Sequence, residues 1–191
     1  MEFSKAYEIA LRVKAQLAPH CDRIEIAGSI RRKKPEVKDI EIVAIPKPWG
    51  TGLFLDGVAE VVSQWEKVKG DVENNTECKY TQRVLPEGIK LDLFFCVPEN
   101  WGLIYALRTG PADYSHHVLA NGWVIRGYRS HEGFLYNAGK RYDVREEEDL
   151  YKRIALPFEL PEHRQWPQVK KEITKPNPAH LDRIMNWNYN K

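Results

Sequence analysis

Apolar positions recur with two different periods along the first hundred residues. Phe3, Ala6, Tyr7, Ala10, Val13 and Leu17 follow helical spacing, and Pro19 marks the end of that helix. From Arg23 to Ala27 polar and apolar residues alternate, which predicts a half-buried strand closed by Gly28-Ser29. The alternation returns at residues 39–45 and 89–95. Successive strand side chains point to opposite faces, so Asp39 and Glu41 share one face while Ile40 and Ile42 turn to the core. By the same rule Leu91, Leu93 and Phe95 point inward, and Asp92 lies on the other face beside Lys90. Val58, Val61, Val62 and Trp65 predict a second helix packed on the sheet, residues 79–85 a further strand, and residues 101–108 a helix. Residues 46–52 form a turn cluster, and residues 70–77 a polar loop. Pro167, Pro176 and Pro178 predict an extended segment, ending in a short helix over 179–187. The pattern predicts an α+β protein: a sheet with two covering helices over 1–107, a smaller α+β lobe over 108–164, and an extension over 165–191.

The chemistry is concentrated where the strands end. Gly28 lets backbone approach a ligand closely, and Ser29 adds a hydroxyl donor. A helix beginning there would favour phosphate through its free N–H groups. Arg31 and Arg32 supply planar charged forks that match phosphate oxygens. Asp39, Glu41 and Asp92 would repel one another unless a cation sits among them. Such hard oxygen ligands select Mg²⁺ or Mn²⁺ over zinc. Two ions about 3.5–4 Å apart stabilise both the attacking and the leaving oxygen of an in-line phosphoryl displacement. An Asp-x-Glu pair alone is also the ordinary composition of a solvent face. The ordered set of turn, arginines and three acids is what points to nucleotidyl transfer.

At these residues the chain resembles the nucleotidyltransferase superfamily, and within it the family X DNA polymerases of the polymerase beta type. Gly28-Ser29-Ile30-Arg31-Arg32 followed by Asp39-Ile40-Glu41 resembles the start of that family's palm, and Lys90-Leu91-Asp92-Leu93 the strand of its third acid. Leu107-Arg108-Thr109-Gly110 resembles the family's Thr-Gly segment. Trp123 to Tyr128 resembles its small thumb sheet, and residues 147–164 its closing helix and proline-rich exit. The resemblance runs from about Phe3 to Arg164.

It implies a polymerase beta-like palm with a mixed sheet, and a small thumb-like lobe. It also implies an enzyme that joins a nucleoside triphosphate to a DNA 3′-hydroxyl in template-directed short-gap filling, with two Mg²⁺ or Mn²⁺ ions. Asp39, Glu41 and Asp92 would bind metal and carry catalysis. Gly28, Ser29, Arg32, Arg108, Thr109 and Gly110 would bind the nucleotide, and Lys33, Lys34 and Lys90 the DNA. Template-independent transfer to a nucleic-acid end, a protein or a small hydroxyl compound is the alternative, because the palm motifs are shared across the superfamily.

Four departures bear on what the resemblance implies. Glu41 stands for the usual second Asp, and Lys38 for a Gly before the first acid. Leu107-Arg108 replaces the aromatic pair that screens against ribose. Ser115, His116, His117 and Leu119 occupy the region where the family probes the nascent base pair.

Charge adds one point. The net charge of +2 does not mark the whole chain as a basic nucleic-acid binder, but residues 31–38 carry Arg31, Arg32, Lys33, Lys34 and Lys38 against Glu36. Residues 164–191 are also basic, with Trp166, Trp187 and Tyr189 interleaved. That segment admits two readings: a strand-binding tail that both attracts and stacks, or one that packs its tryptophans on the body. Adjacent His116 and His117 do not share a helical face, so at most one would touch substrate. Cys21, Cys78 and Cys96 are widely spaced, without a zinc pattern, and suggest reduced thiols in the cytoplasm. No apolar run reaches the ~20 residues of a membrane helix, and a monomer acting on nucleotide and DNA is expected.

Overall fold

A computed structural model describes residues 1–47, 56–72 and 78–166. The expected helix at 179–187, and most of the 46–52 turn and 70–77 loop, lie outside the described residues. The chain divides into two compact units, Met1–Pro98 and Glu99–Lys191.

In the first unit the N-terminal helical period becomes α1 (Phe3–Leu17), which buries Ala6, Ile9, Ala10, Val13 and Leu17. Tyr7 is instead exposed, stacked on Phe3 with ring centroids 5.7 Å apart. The alternating segments become β1 (Cys21–Ile26), β2 (Asp39–Pro46), β4 (Tyr80–Val84) and β5 (Lys90–Phe95). A single helical turn, α2 (Gly28–Arg31), follows β1. Between β2 and β4 come α3 (Asp56–Val62) and β3 (Glu66–Lys69). All four residues of β3 are exposed at the sheet edge, so it has no alternation for a sequence reading to detect.

The sheet order is β1-β2-β5-β4-β3. β2 and β5 are parallel and the other neighbours antiparallel, so the sheet is mixed. One face buries Ile40, Ile42 and Ala44 of β2 and Leu91, Leu93 and Phe95 of β5 in a core shared with α1 and with Val58 and Val62 of α3. The opposite face carries Asp39, Glu41, Lys90 and Asp92, as the alternation predicts.

The second unit contains α4 (Trp101–Thr109), α5 (Ala112–Tyr114), a wider helical turn over Ser115–Ala120 and α6 (Asn121–Ile125). A three-stranded antiparallel sheet follows, β6 (Arg129–His131), β7 (Phe134–Asn137) and β8 (Lys140–Tyr142), and then α7 (Glu147–Ile154). α7 begins with a reciprocal cap between Glu146 and Asp149.

The expected thumb sheet over Trp123–Tyr128 is corrected here. Trp123 to Ile125 are helical, and the sheet begins only at Arg129. Leu119, Ala120 and Trp123 bury together with Leu150 and Ile154, at helical spacing, and that burial outweighs the strand preference of Trp-Val-Ile.

The division falls after Pro98, upstream of the expected 107–108 boundary. α4 is held within the second unit: the Gly102 N–H donates to the Val144 carbonyl at 2.9 Å. A Cβ on Gly102 would lie 2.2 Å from the Glu146 backbone, so only glycine permits this approach.

Candidate active site

β2 and β5 place the acids. In the parallel register Glu41 lies opposite Asp92, and Asp39 opposite Lys90. Neighbouring strands run about 4.8 Å apart and alternate residues about 6.7 Å apart, so the three carboxylates start from one small patch. Asp92 is 9% exposed, whereas Asp39 and Glu41 are half-buried. Burial, and then the charge of Asp92, hold the Asp39 carboxyl above its usual range, while the nearby charges of Arg32 and Lys38 act in the opposite sense.

The turn after β1 is locked to this patch. The Ala27 N–H donates to the Glu41 carbonyl at 2.8 Å. Gly28 has φ +60°, and a Cβ there would meet Glu41 Oε2 at 1.9 Å, so the Glu41 side chain lies across Gly28. Ile30 points into the core and anchors the turn. Ser29 Oγ is buried and makes no hydrogen bond among the described residues. A buried hydroxyl without a partner is costly in a finished core and useful in a ligand site. The Arg32 N–H closes the turn on the Gly28 carbonyl at 3.1 Å, and Lys33 leaves it with φ +55°. Lys33 and Lys90 are exposed, and Lys34 is half-buried.

Two residues of β4 also belong to the patch. Gln82 lies opposite Asp92 and donates from Nε2 to its Oδ1 at 2.8 Å. The Tyr80 hydroxyl donates to the same oxygen. Neither residue stands out in the sequence, because which strand neighbours β5 is a non-local fact.

Among the described residues no three His, Cys, Asp or Glu side chains are gathered closely enough to hold a metal ion between them. The acids share a face without forming a closed cage: Glu41 carries its carboxylate over Gly28, and Asp92 is held by β4. The donor chemistry nevertheless suits a hard divalent cation, since every donor is a carboxylate oxygen and Asp39 feels the charge of Asp92.

Arg108, Thr109 and Gly110 belong to the second unit, at the end of α4. Thr109 is fully buried, while Arg108 and Gly110 are half-buried. The Ser115 hydroxyl donates to the Leu107 carbonyl at 2.8 Å and lies where a Gly110 side chain would go, which fixes the corner after α4. The His116 and His117 rings are 4.7 Å apart, and His117 stacks on Trp166 at 4.9 Å. Trp187 and Tyr189 of the extension lie outside the described residues. No protein-family model matches the chain, and neither does any curated protein.

Proposed function

We propose that this protein is a metal-dependent nucleotidyltransferase, acting from a nucleoside triphosphate onto a DNA 3′-hydroxyl in template-directed short-gap filling. One observation carries the reading: Asp39, Glu41 and Asp92 share a face of adjacent parallel strands, with the Gly28-Ser29 turn packed against Glu41.

In this reading Asp39, Glu41 and Asp92 hold Mg²⁺ or Mn²⁺. A divalent ion bound there draws charge from the phosphoryl oxygens and makes the acceptor hydroxyl more acidic. Ser29 Oγ donates to a phosphate oxygen, which supplies the partner it lacks. Arg32 offsets charge on the triphosphate. The acceptor oxygen forms its bond to the α-phosphorus as the bond from that phosphorus to the oxygen bridging the β-phosphate breaks; the hydroxyl proton passes to solvent and pyrophosphate leaves. Lys33, Lys34 and Lys90 attract the DNA backbone. A polymerase beta-like palm and thumb, the gap-filling role, monomeric action and a cytoplasmic setting belong to the same proposal and rest on the order of the motifs.

The test is single-nucleotide extension across a one-nucleotide gap with Mg²⁺, each nucleotide offered in turn. Addition of the complementary nucleotide alone, lost without template and lost in Asp92→Asn while DNA affinity stays within about twofold, is the expected result. Template-free addition would replace DNA synthesis with the end-transfer alternative. Activity surviving in Asp92→Asn would remove Asp92 from the site.

A further inference from the structure

We propose that Tyr80 and Gln82 are positioning residues for Asp92: they hold its Oδ1 and leave Oδ2 as the oxygen that meets a divalent cation. The inference rests on the metal-site reading above and deepens it. Both donors converge on Oδ1, and among the described residues nothing hydrogen-bonds Oδ2. The strand register makes the arrangement. β4 pairs antiparallel with β5, which sets Gln82 directly opposite Asp92 and Tyr80 opposite Phe94. Phe94 stacks on the Tyr80 ring with centroids 5.0 Å apart, so the hydroxyl is aimed by a packed aromatic pair rather than by a free side chain.

The chemistry of the donors matters as much as their place. Residues 80–84 read Tyr-Thr-Gln-Arg-Val. Alternation puts the neutral donors Tyr80 and Gln82 on the face of Asp92, and sends the one cation, Arg83, to the opposite, buried side. A guanidinium on Oδ1 would cancel the charge that a metal ion needs. A hydroxyl and an amide fix the carboxylate and leave its charge intact. Hydrogen bonds of this kind behind a ligating carboxylate are typically worth 10–100-fold in metal affinity or activity.

The same bonds could simply satisfy a buried acid, and that role would show as lost stability alone. The experiment uses the full chain without nucleotide. Mn²⁺ affinity is read from the spectroscopic signal of free Mn²⁺, and metal-free stability from thermal unfolding. The variants are Tyr80→Phe, which keeps the stack on Phe94, and Gln82→Leu; Asp92→Asn is the reference. The expected result is Mn²⁺ binding at least tenfold weaker in either β4 variant, with the metal-free midpoint of Tyr80→Phe near wild type. In gap filling, kcat falls while KM for the nucleotide holds. Wild-type Mn²⁺ affinity in both β4 variants, beside a clear loss in Asp92→Asn, would overturn the positioning role alone. A wild-type protein binding Mn²⁺ no better than Asp92→Asn would overturn the metal-site reading and this proposal with it.

Discussion

Asp39 bears the electrostatic imprint of its neighbours. Its carboxyl is raised by burial first and by the charge of Asp92 second. Between the ordinary aspartate value, about 4, and that raised value, the folded state holds more protons than the unfolded one. Stability therefore falls as pH climbs through this window, and the cost is complete above the folded value. Asp39→Asn should raise the thermal midpoint at pH 7, with the gain fading as pH drops below about 4; calorimetry across pH checks both the sign and the window. Gly28 answers to a different constraint. Gly28→Ala must adopt φ +60° and displace the Glu41 carboxylate, which should cost about 1–3 kcal/mol in urea unfolding. Asp39 was legible in the sequence because strand alternation fixes which face a side chain takes, and Gly28 because it closes the alternating run before it. Arg164 was not: it counts in the sequence as the start of a basic tail, yet it is wholly buried and donates to Glu147 at 2.7 Å.

That ion pair ties two segments together. Glu147 opens α7, and Arg164 follows the helical turn at Pro161–His163. The Arg164 guanidinium also packs 5.5 Å from the ring centroids of Tyr151 and Phe158 and bonds the Glu159 carbonyl. Removing one partner of a buried pair strands the other, so Arg164→Met should destabilise by about 3–5 kcal/mol. Adding Glu147→Leu should recover much of that loss, and denaturant midpoints of both variants decide it. The strands around the acids were readable because each is half-buried and alternates. β3 lacked that signal, and the sheet expected from Trp123 rested on resemblance rather than on alternation. Whether a β-branched stretch becomes strand or helix depends on what it packs against, here Leu150 and Ile154 of α7.

Over the whole chain the net charge is only +2, so on the proposed reading any affinity for DNA would have to come from local basic segments. Truncation after Trp166 removes Lys170, Lys171, Lys175, Arg183 and Lys191. If they meet phosphates, affinity for gapped DNA should drop, and the slope of log K against log salt should shrink by about 0.9 for each phosphate no longer neutralised. An unchanged slope assigns the segment to packing. The division into units was only partly legible. α4 is apolar on nearly every side and could serve either unit by sequence alone; the close approach of Gly102 to Val144 and Glu146 decides for the second.

The parallel pairing of β2 with β5 has a consequence for biosynthesis. β5 is the last of the five strands to leave the ribosome, yet it occupies the middle of the sheet. A nascent chain that ends before Lys90 has β2 and β4 with nothing between them, so sheet and acid patch are completed in one late step. That step closes a long loop, which makes it entropically expensive and slow. A substrate or ion bridging β2 and β5 would grip the seam formed last, and occupancy would then protect the polypeptide from proteases that attack the opened sheet.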